Sequence, residues 1–177
     1  MILEHAVSVD AAPPTLFSFF ENMEENYTAW HPDHRLFVWR KGRGCREGNV
    51  FFFDETIAGQ RQPKEVVFTK VVPNRLIEFA PTNRFFRLFL PRLSFRFEPE
   101  AKATRFVAQI VLRMGPIARW LHRKEFELVR QHMREEGENL KRMIESGVRS
   151  CKNPGVTPAR RVGLIPCRRA FSRLAVT

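Results

Sequence analysis

Two residues four positions apart, His132 and Glu136, have the types and spacing of a chelating pair. Residues at i and i+4 of an α-helix lie on one face, about 6 Å apart along the axis, so both side chains can point at one ion. Apolar residues at i, i+3 and i+4 spacing predict that this face turns inward: Phe126, Val129, Met133, Leu140 and Met143. A charge on a buried face is costly unless it is paired or ligated. The pattern therefore predicts either a metal site or a semi-buried hydrogen-bonded pair.

A further acidic residue, Glu55, lies in a predicted strand over residues 49–57. Because side chains alternate between the two faces of a strand, Glu55 shares a face with Phe51 and Phe53. If that face lines a cavity, Glu55 lies inside it among apolar neighbours. The alternative is that both faces are half-buried and Glu55 pairs with an arginine.

Two histidines, His31 and His34, flank a Pro-Asp dipeptide just before another predicted strand. The residue before a proline is pushed toward extended geometry, so the chain must turn here. His34 then begins an alternating run that places Leu36 and Val38 on its face. The two imidazoles are either metal ligands or hydrogen-bonding residues of the turn.

Composition limits the class of protein. The chain has 177 residues, 17 phenylalanines and 44% hydrophobic residues, which predicts one soluble domain with an aromatic interior. No apolar run reaches the length of a membrane span, and no charged leader precedes an apolar stretch, so we expect a cytoplasmic protein. Three cysteines without Cys-x-x-Cys spacing argue against a disulfide framework or a thiolate zinc site.

The net charge of +11 is concentrated at the C-terminus. Residues 149–177 contain seven Lys and Arg residues and no acid, and prolines and glycines interrupt any regular element there. We therefore expect a folded domain over residues 1–148 and a poorly ordered basic tail over 149–177. The folded part has no recognition helix or zinc-finger pattern, so no specific nucleic-acid partner is expected. A weak contact of the tail with a polyanion or an anionic membrane stays open.

The order of predicted elements defines a topology. A strand over residues 2–9 precedes two short helices, the first opened by Pro14 and the second over 23–30. Strands follow over 34–40, 49–57, 64–72, 75–81, 90–98 and 103–113, separated by short turns that favour an antiparallel meander. A helix of about 30 residues over 116–146 ends the domain.

This order resembles the helix-grip fold of the START and polyketide-cyclase-like superfamily over residues 1–147. The segments Ala11-Ala-Pro-Pro-Thr-Leu-Phe17 and Val71-Val-Pro-Asn-Arg-Leu-Ile-Glu-Phe79 carry the resemblance. It implies an α+β fold in which a curved seven-stranded antiparallel sheet wraps a long C-terminal helix and leaves a hydrophobic cavity between them. In such a fold, His31 or His34 would converge with Glu55, His132 and Glu136. Two imidazoles and two carboxylates suit Zn²⁺, and also Mn²⁺ or Fe²⁺.

Three segments, 30–39, 53–59 and 130–141, resemble the 2,4-diacetylphloroglucinol hydrolase family. That family holds zinc with two His and two Glu in a helix-grip domain, and the resemblance implies the ligands His34, Glu55, His132 and Glu136, with His31 within reach. It implies a zinc-dependent hydrolase that breaks a C–C bond of an aromatic or polyketide-like ketone. The departing aryl carbon needs a proton, for which Glu135 and His31 are candidates.

The expected ligand is a hydrophobic aromatic small molecule. Rings that would line its pocket, or else fill the core, are Trp39, Phe51, Phe53, Phe106 and Phe126. A lipid or aromatic carrier without turnover is the rival function, and a structural metal closed by four ligands is a third interpretation. A homodimer is compatible with the sequence.

Overall fold

The computed structural model describes residues 1–57 and 59–152 and confirms the predicted α+β fold. A seven-stranded antiparallel sheet packs against one long helix, with two short helices after the first strand. The elements are β1 Ile2–Val9, α1 Pro13–Glu21, α2 Met23–Trp30, β2 His34–Lys41, β3 Val50–Ile57, β4 Gln60–Val72, β5 Leu76–Pro81, α3 Arg84–Phe89, β6 Arg92–Pro99, β7 Thr104–Val111, α4 Pro116–Leu121 and α5 Arg123–Lys152.

The sheet has the strand order β1-β7-β6-β5-β4-β3-β2. Strands β2 to β7 form the predicted meander, and β1 pairs with the last strand, β7, along its whole length. The helices α1 and α2 carry the chain from β1 at one edge of the sheet to β2 at the other. This connection ends at His31, which has extended geometry (φ −144°, ψ 141°) as expected before a proline.

The inner face of the sheet and the apolar stripe of α5 form the core. Met133, Leu140 and Ile144 of α5 are buried, as the 3.6-residue period predicts. Among the described residues, no helix is long and apolar enough to cross a lipid bilayer.

A β-bulge changes the predicted alternation of β2. His34 pairs with Glu55, but the register then shifts before Leu36 pairs with Asp54. His34 and Phe37 are therefore buried, whereas Leu36 is 45% exposed. The prediction that Leu36 shares a face with His34 is wrong, because a bulge inserts one residue and reverses the parity of those that follow.

Two helices differ from the sequence prediction. The helix α3 was not predicted; it begins because the Asn83 side chain accepts hydrogen bonds from the N–H groups of Phe85 and Phe86. The predicted single helix over 116–146 is interrupted at His122, which separates α4 from α5. The helix α5 continues to Lys152, so it enters the predicted tail; residues 153–177 lie outside the described residues, and their disorder stays a prediction.

Gly137 of α5 allows close contact between the helix and β1. A Cβ atom at this position would lie 2.8 Å from Cδ2 of the His5 ring and 3.4 Å from a methyl carbon of Val7. At Gly147 of the same helix, a Cβ atom would meet nothing within 4 Å.

These two glycines make a matched pair for a stability test. We expect Gly137→Ala to lower the free energy of unfolding by about 1–3 kcal/mol, because overpacking outweighs the better helix propensity of alanine. Gly147→Ala should raise it by about 0.5–1 kcal/mol. Urea unfolding followed by circular dichroism measures both; a stabilised Gly137→Ala variant would show that β1 moves away without cost.

Candidate metal centre

Four polar side chains meet between the sheet and α5. His34 begins β2, Glu55 lies directly opposite it on β3, and His132 and Glu136 face both strands from α5. One donor atom from each of the four lies within 4.8 Å of the others. His34, Glu55 and His132 are buried and Glu136 is half-buried. The structure thus brings together the four residues that the sequence proposed as ligands.

His34 is oriented by hydrogen bonding and ring stacking. Its Nδ1 lies 3.0 Å from the carbonyl oxygen of Tyr27, and its ring stacks on the Tyr27 ring with centroids 4.1 Å apart. A carbonyl only accepts, so Nδ1 carries a proton, and in the neutral imidazole Nε2 then presents its lone pair. This Nε2 lies 3.0 Å from Oε1 of Glu136. Two facing acceptors at that distance require a proton or a cation between them.

His132 gives a second indication of a cation. Its Nε2 is buried and has no hydrogen-bond partner among the described residues. It lies 3.8 Å from Oε1 of Glu136 and 4.0 Å from Oε2 of Glu55. An unpartnered buried nitrogen is costly, and a bound ion would supply the missing interaction.

The two carboxylates are held by different contacts. Glu55 pairs with Lys64 Nζ at 2.6 Å and lies 3.4 Å from the Tyr27 hydroxyl. The backbone carbonyl of Glu136 accepts a hydrogen bond from the Trp30 indole at 2.8 Å, which ties α5 to α2 at this level. Burial would raise the pKa of Glu136, but the hydrogen bond with His34 and the nearby imidazoles outweigh it and hold that pKa below its ordinary value.

The donor separations fit a small divalent ion. Ligands at 2.0–2.2 Å from a tetrahedral zinc ion are roughly 3.3–3.6 Å from one another. The separations of His34 Nε2 from Glu136 and Glu55 are 3.0 and 4.0 Å, which bracket that range, and those of His132 Nε2 are 3.8 and 4.0 Å. Side-chain shifts of under about 1 Å are sufficient. The bond from His34 to a backbone carbonyl is also the second contact that metal-bound histidines usually make.

The two predicted proton donors, His31 and Glu135, lie beside this cluster. The His31 ring is 4.5 Å from the ring of His132, and its Nε2 is 3.4 Å from a carboxylate oxygen of Glu135. The Asp33 N–H donates to His31 Nδ1 at 3.1 Å. His31, His34 and His132 also form a second group whose nitrogen atoms lie close together. The carboxylate of Glu135 is 48% exposed, so this pair connects the buried cluster to solvent.

The environment of His31 predicts a pH-dependent stability. In metal-free protein, burial and, to a smaller extent, the neighbouring imidazoles of His132 and His34 lower the pKa of His31 below 6.5. The folded state then binds fewer protons than the unfolded state, so this contribution is complete above about pH 6.5 and decreases as pH falls toward the folded-state pKa. We expect the Tm of chelator-treated protein to fall between about pH 7 and 5.5, and to fall less in His31→Asn. Calorimetry in the two proteins tests this; identical slopes would contradict it.

An apolar cavity adjoins the cluster. Tyr27, Glu55, His132 and Glu136 reach its wall, together with the predicted pocket residues Trp39, Phe51 and Phe53. The rest of the described wall is largely aromatic and aliphatic, including Phe68, Phe79, Leu93, Phe95, Ile110 and Val129. A flat apolar ligand is the kind of molecule that such a cavity accommodates.

Two predicted pocket residues, Phe106 and Phe126, are not among the described lining residues. Phe106 is 1% exposed and stacks on Phe20 of α1, so it belongs to the packed core below the cavity. Phe126 lies in the first turn of α5 and is half-buried against the core, near His122. His31, His34 and Glu135 also do not reach the described wall.

Tyr27 and Lys64 were not identified from the sequence. Tyr27 is the only tyrosine of the chain, but its position in a short polar helix gives no functional signal. Burial and the carboxylates of Glu55 and Glu136 raise the pKa of Tyr27 far above 10, so its hydroxyl stays a donor. Lys64 pairs in register with Phe53, which places it diagonally across from Glu55; that register follows from the hairpin and is not fixed by local sequence.

Lys64 is expected to oppose cation binding. Its ammonium group occupies one oxygen of Glu55 and adds a positive charge beside the cluster. We expect Lys64→Met to raise zinc affinity by roughly three- to tenfold, since removing one nearby charge is worth about 1 kcal/mol. In the metal-free variant, the free energy of unfolding should be about 1–3 kcal/mol lower than in the metal-free wild type, because Glu55 loses its partner. Zinc titration and urea unfolding test the two effects, with Lys70→Met on the same strand as control; an unchanged affinity would contradict the prediction.

Comparisons with solved structures support the fold. The Zhui aromatase/cyclase from Streptomyces sp. R1128 superposes with a TM-score of 0.66 at 17% identity, covering 88% of this chain and 99% of that one. A START superfamily protein from Mycobacterium smegmatis gives a TM-score of 0.59 at 16% identity, with 82% and 97% covered. Ginseng major latex-like protein 151 from Panax ginseng gives 0.55 at 9% identity, with 75% and 96% covered.

These similarities show that the chain has the helix-grip fold. At such low sequence identity the similarities establish a shared fold and give no information about activity. No protein-family model matches the sequence, and comparison with curated proteins gives no match. Function must therefore be argued from the cluster and the cavity themselves.

Proposed function

We propose that this protein is a metal-dependent hydrolase of an aromatic or polyketide-like ketone. The proposal rests on one observation: two imidazoles and two carboxylates meet within 4.8 Å, and three of these residues, Glu55, His132 and Glu136, reach the wall of an apolar, aromatic cavity. The resemblance of residues 30–39, 53–59 and 130–141 to 2,4-diacetylphloroglucinol hydrolases agrees with it. The reaction would add water across an aryl–acyl bond and yield an arene and a carboxylic acid.

The ion would be held by His34, Glu55, His132 and Glu136. This nitrogen and oxygen donor set suits Zn²⁺ and also accepts Mn²⁺ or Fe²⁺. When bound, such an ion polarises a carbonyl oxygen and lowers the pKa of water. The carbonyl of Tyr27 would keep His34 in place.

The remaining residues would bind the ketone and move protons. The aromatic wall favours a planar substrate and excludes bulk water from the reacting bond. Tyr27 presents a hydroxyl donor at the wall beside Glu55. Departure of the aryl group needs a proton at the ring carbon. Since His31 and Glu135 do not reach the described wall, we assign them to proton exchange between the cluster and solvent.

The second candidate is a carrier of an apolar small molecule. It is favoured by the largely apolar lining of the cavity, which would bind a lipid or aromatic ligand without any ion. The carrier predicts ligand uptake that a chelator leaves unchanged. The hydrolase predicts turnover that the chelator abolishes.

The experiment combines metal analysis with an assay of turnover. Protein purified without a nickel column is analysed for bound metal, treated with a chelator and reloaded with Zn²⁺, Mn²⁺ or Fe²⁺. Each form is incubated with di- and trihydroxybenzenes that carry an acetyl group on a ring carbon, and released acetate is measured. We expect about one equivalent of metal and acetate release only in a loaded form. Ligand uptake by metal-free protein, with no acetate from any loaded form, would replace the hydrolase by the carrier.

A further inference from the structure

The helices α3 and α4 expose nearly all of their apolar side chains. Among the described residues, neither helix buries any residue. The exposed fractions range from 49% at Phe89 to 75% at Ile117. We call this surface the aromatic patch; it consists of Phe85, Phe86, Leu88, Phe89, Ile117, Trp120 and Leu121. Helices of six residues are not stable by themselves, and clustered apolar side chains on a surface mark an interaction site.

The two helices lie at the same end of the molecule. The N–H of Arg113 donates to the carbonyl of Phe89 at 2.8 Å, which joins the end of α3 to the segment that starts α4 at Pro116. This end is also next to the cavity. Leu93, four residues after Phe89, and its pairing partner Ile110 both belong to the cavity wall.

The charge around the aromatic patch identifies the kind of partner. Segments 82–92 and 113–124 contain no acid and seven basic residues: Arg84, Arg87, Arg92, Arg113, Arg119, Arg123 and Lys124. Of these, Arg92 pairs with Glu78 and Arg123 lies over the Trp120 ring at 5.9 Å. No ion pair is found for Arg84, Arg87, Arg113 or Arg119 within the described part of the chain. The patch is therefore apolar and strongly positive.

Such a surface suits an anionic lipid bilayer better than a second copy of the chain. Two copies meeting face to face would bring like charges together, which opposes association. Aromatic and aliphatic side chains that enter the headgroup region, surrounded by Lys and Arg, are the features of proteins that lie on anionic membranes. The adjoining cavity is apolar, and its ligands would partition into the same bilayer.

We propose that the aromatic patch docks the protein on the surface of anionic membranes, with this end of the cavity facing the lipid. The docking requires no metal and is independent of the hydrolase chemistry. Phe85, Phe86, Ile117 and Trp120 enter the interface, and the surrounding arginines contact the lipid phosphates. An apolar ligand then passes between the bilayer and the cavity without crossing bulk water.

Vesicle binding of the full-length protein tests this docking. Vesicles of phosphatidylcholine with phosphatidylglycerol should bind the protein, and vesicles of phosphatidylcholine alone should bind it much less. Phe85→Ser combined with Phe86→Ser should weaken binding by roughly tenfold or more. Arg84→Gln with Arg87→Gln should weaken it by a similar factor and reduce its salt dependence. The matched controls, Leu36→Ser on β2 and Lys70→Gln with Arg75→Gln, should bind as the wild type does.

Trp120 provides a second readout at the patch. Of the three tryptophans, Trp30 is 4% exposed and Trp39 is half-buried in the cavity wall, whereas Trp120 is 65% exposed, so brominated lipid should quench mainly the emission of Trp120 on binding. The Trp120→Phe variant should bind while losing most of the quenching. If the Phe85→Ser and Phe86→Ser variant binds vesicles as the wild type does, the membrane contact lies elsewhere and the proposal is wrong. The proposal is also wrong if the wild type is a dimer in solution and this variant is a monomer, because the patch would then join two copies of the chain.

Discussion

Replacing His132 with alanine is expected to abolish tight metal binding. The side chain supplies the buried Nε2 that has no hydrogen-bond partner in the described structure. Loss of one of four ligands should weaken zinc binding by at least about 100-fold, since even replacing a residue that only hydrogen-bonds to a ligand costs about 10- to 100-fold. Acetate release from the acetylated hydroxybenzenes should fall to the level of chelator-treated protein.

The control for this variant is His122→Ala. His122 lies between α4 and α5 with a 54% exposed side chain, so its removal deletes an imidazole without touching the cluster. Glu136→Gln is a second test, because it keeps the shape of the side chain and removes the charge. Metal content is measured after dialysis, and circular dichroism checks the fold. If folded His132→Ala protein retains the zinc content of the wild type, the proposed ligand set is wrong.

Zinc is expected to raise the thermal stability of the protein strongly. The four donors are already close together, so we expect the folded state to bind the ion far better than the unfolded chain does. At 100 times Kd, binding contributes about 2.7 kcal/mol, which for a chain of this size is a rise in Tm of roughly 5–10 °C. Differential scanning fluorimetry with and without zinc measures the shift, and a chelator should reverse it.

The variant Glu55→Gln distinguishes this site from adventitious binding. It retains a side chain that can contact Lys64 and Tyr27 but lacks the carboxylate. Its zinc-induced rise in Tm should be less than about half of that of the wild type, because the affinity for the cation decreases when a ligand loses its negative charge. A shift that is the same in wild type, Glu55→Gln and His132→Ala would mean that zinc stabilises the protein at some other place.

Part of the candidate site could be predicted because it depends on local periodicity. The spacing of His132 and Glu136 fixes them on one helix face whatever the rest of the fold, and strand alternation places Glu55 with Phe51 and Phe53. The order of elements and the resemblance to the helix-grip fold then place these faces opposite each other, as the structure has them. The same periodicity failed at Leu36, because a bulge depends on the pairing of two strands.

Tertiary contacts give His31 and His34 different surroundings. Both lie in one turn, and sequence spacing gives each a similar reach. In the structure, the Tyr27 carbonyl and ring orient His34 toward Glu55 and Glu136, whereas Asp33 and Glu135 hold the two nitrogens of His31. These contacts join residues of different elements, so no local sequence pattern predicts them.

Apart from the bulge at Leu36, the sequence by itself determined which side chains share one face of a helix or strand, since helical and strand periods are properties of adjacent residues. Only the tertiary structure decided which contacts these side chains and their neighbours make. Examples are the ion pair of Lys64 with Glu55, the hydrogen bond from the Trp30 indole to α5, and the backbone hydrogen bond from Arg113 to Phe89 beside the aromatic patch. Each of these contacts depends on how separate elements pack together. The physical reason is that the energies that select such contacts arise from burial, charge and hydrogen bonding between distant parts of the chain.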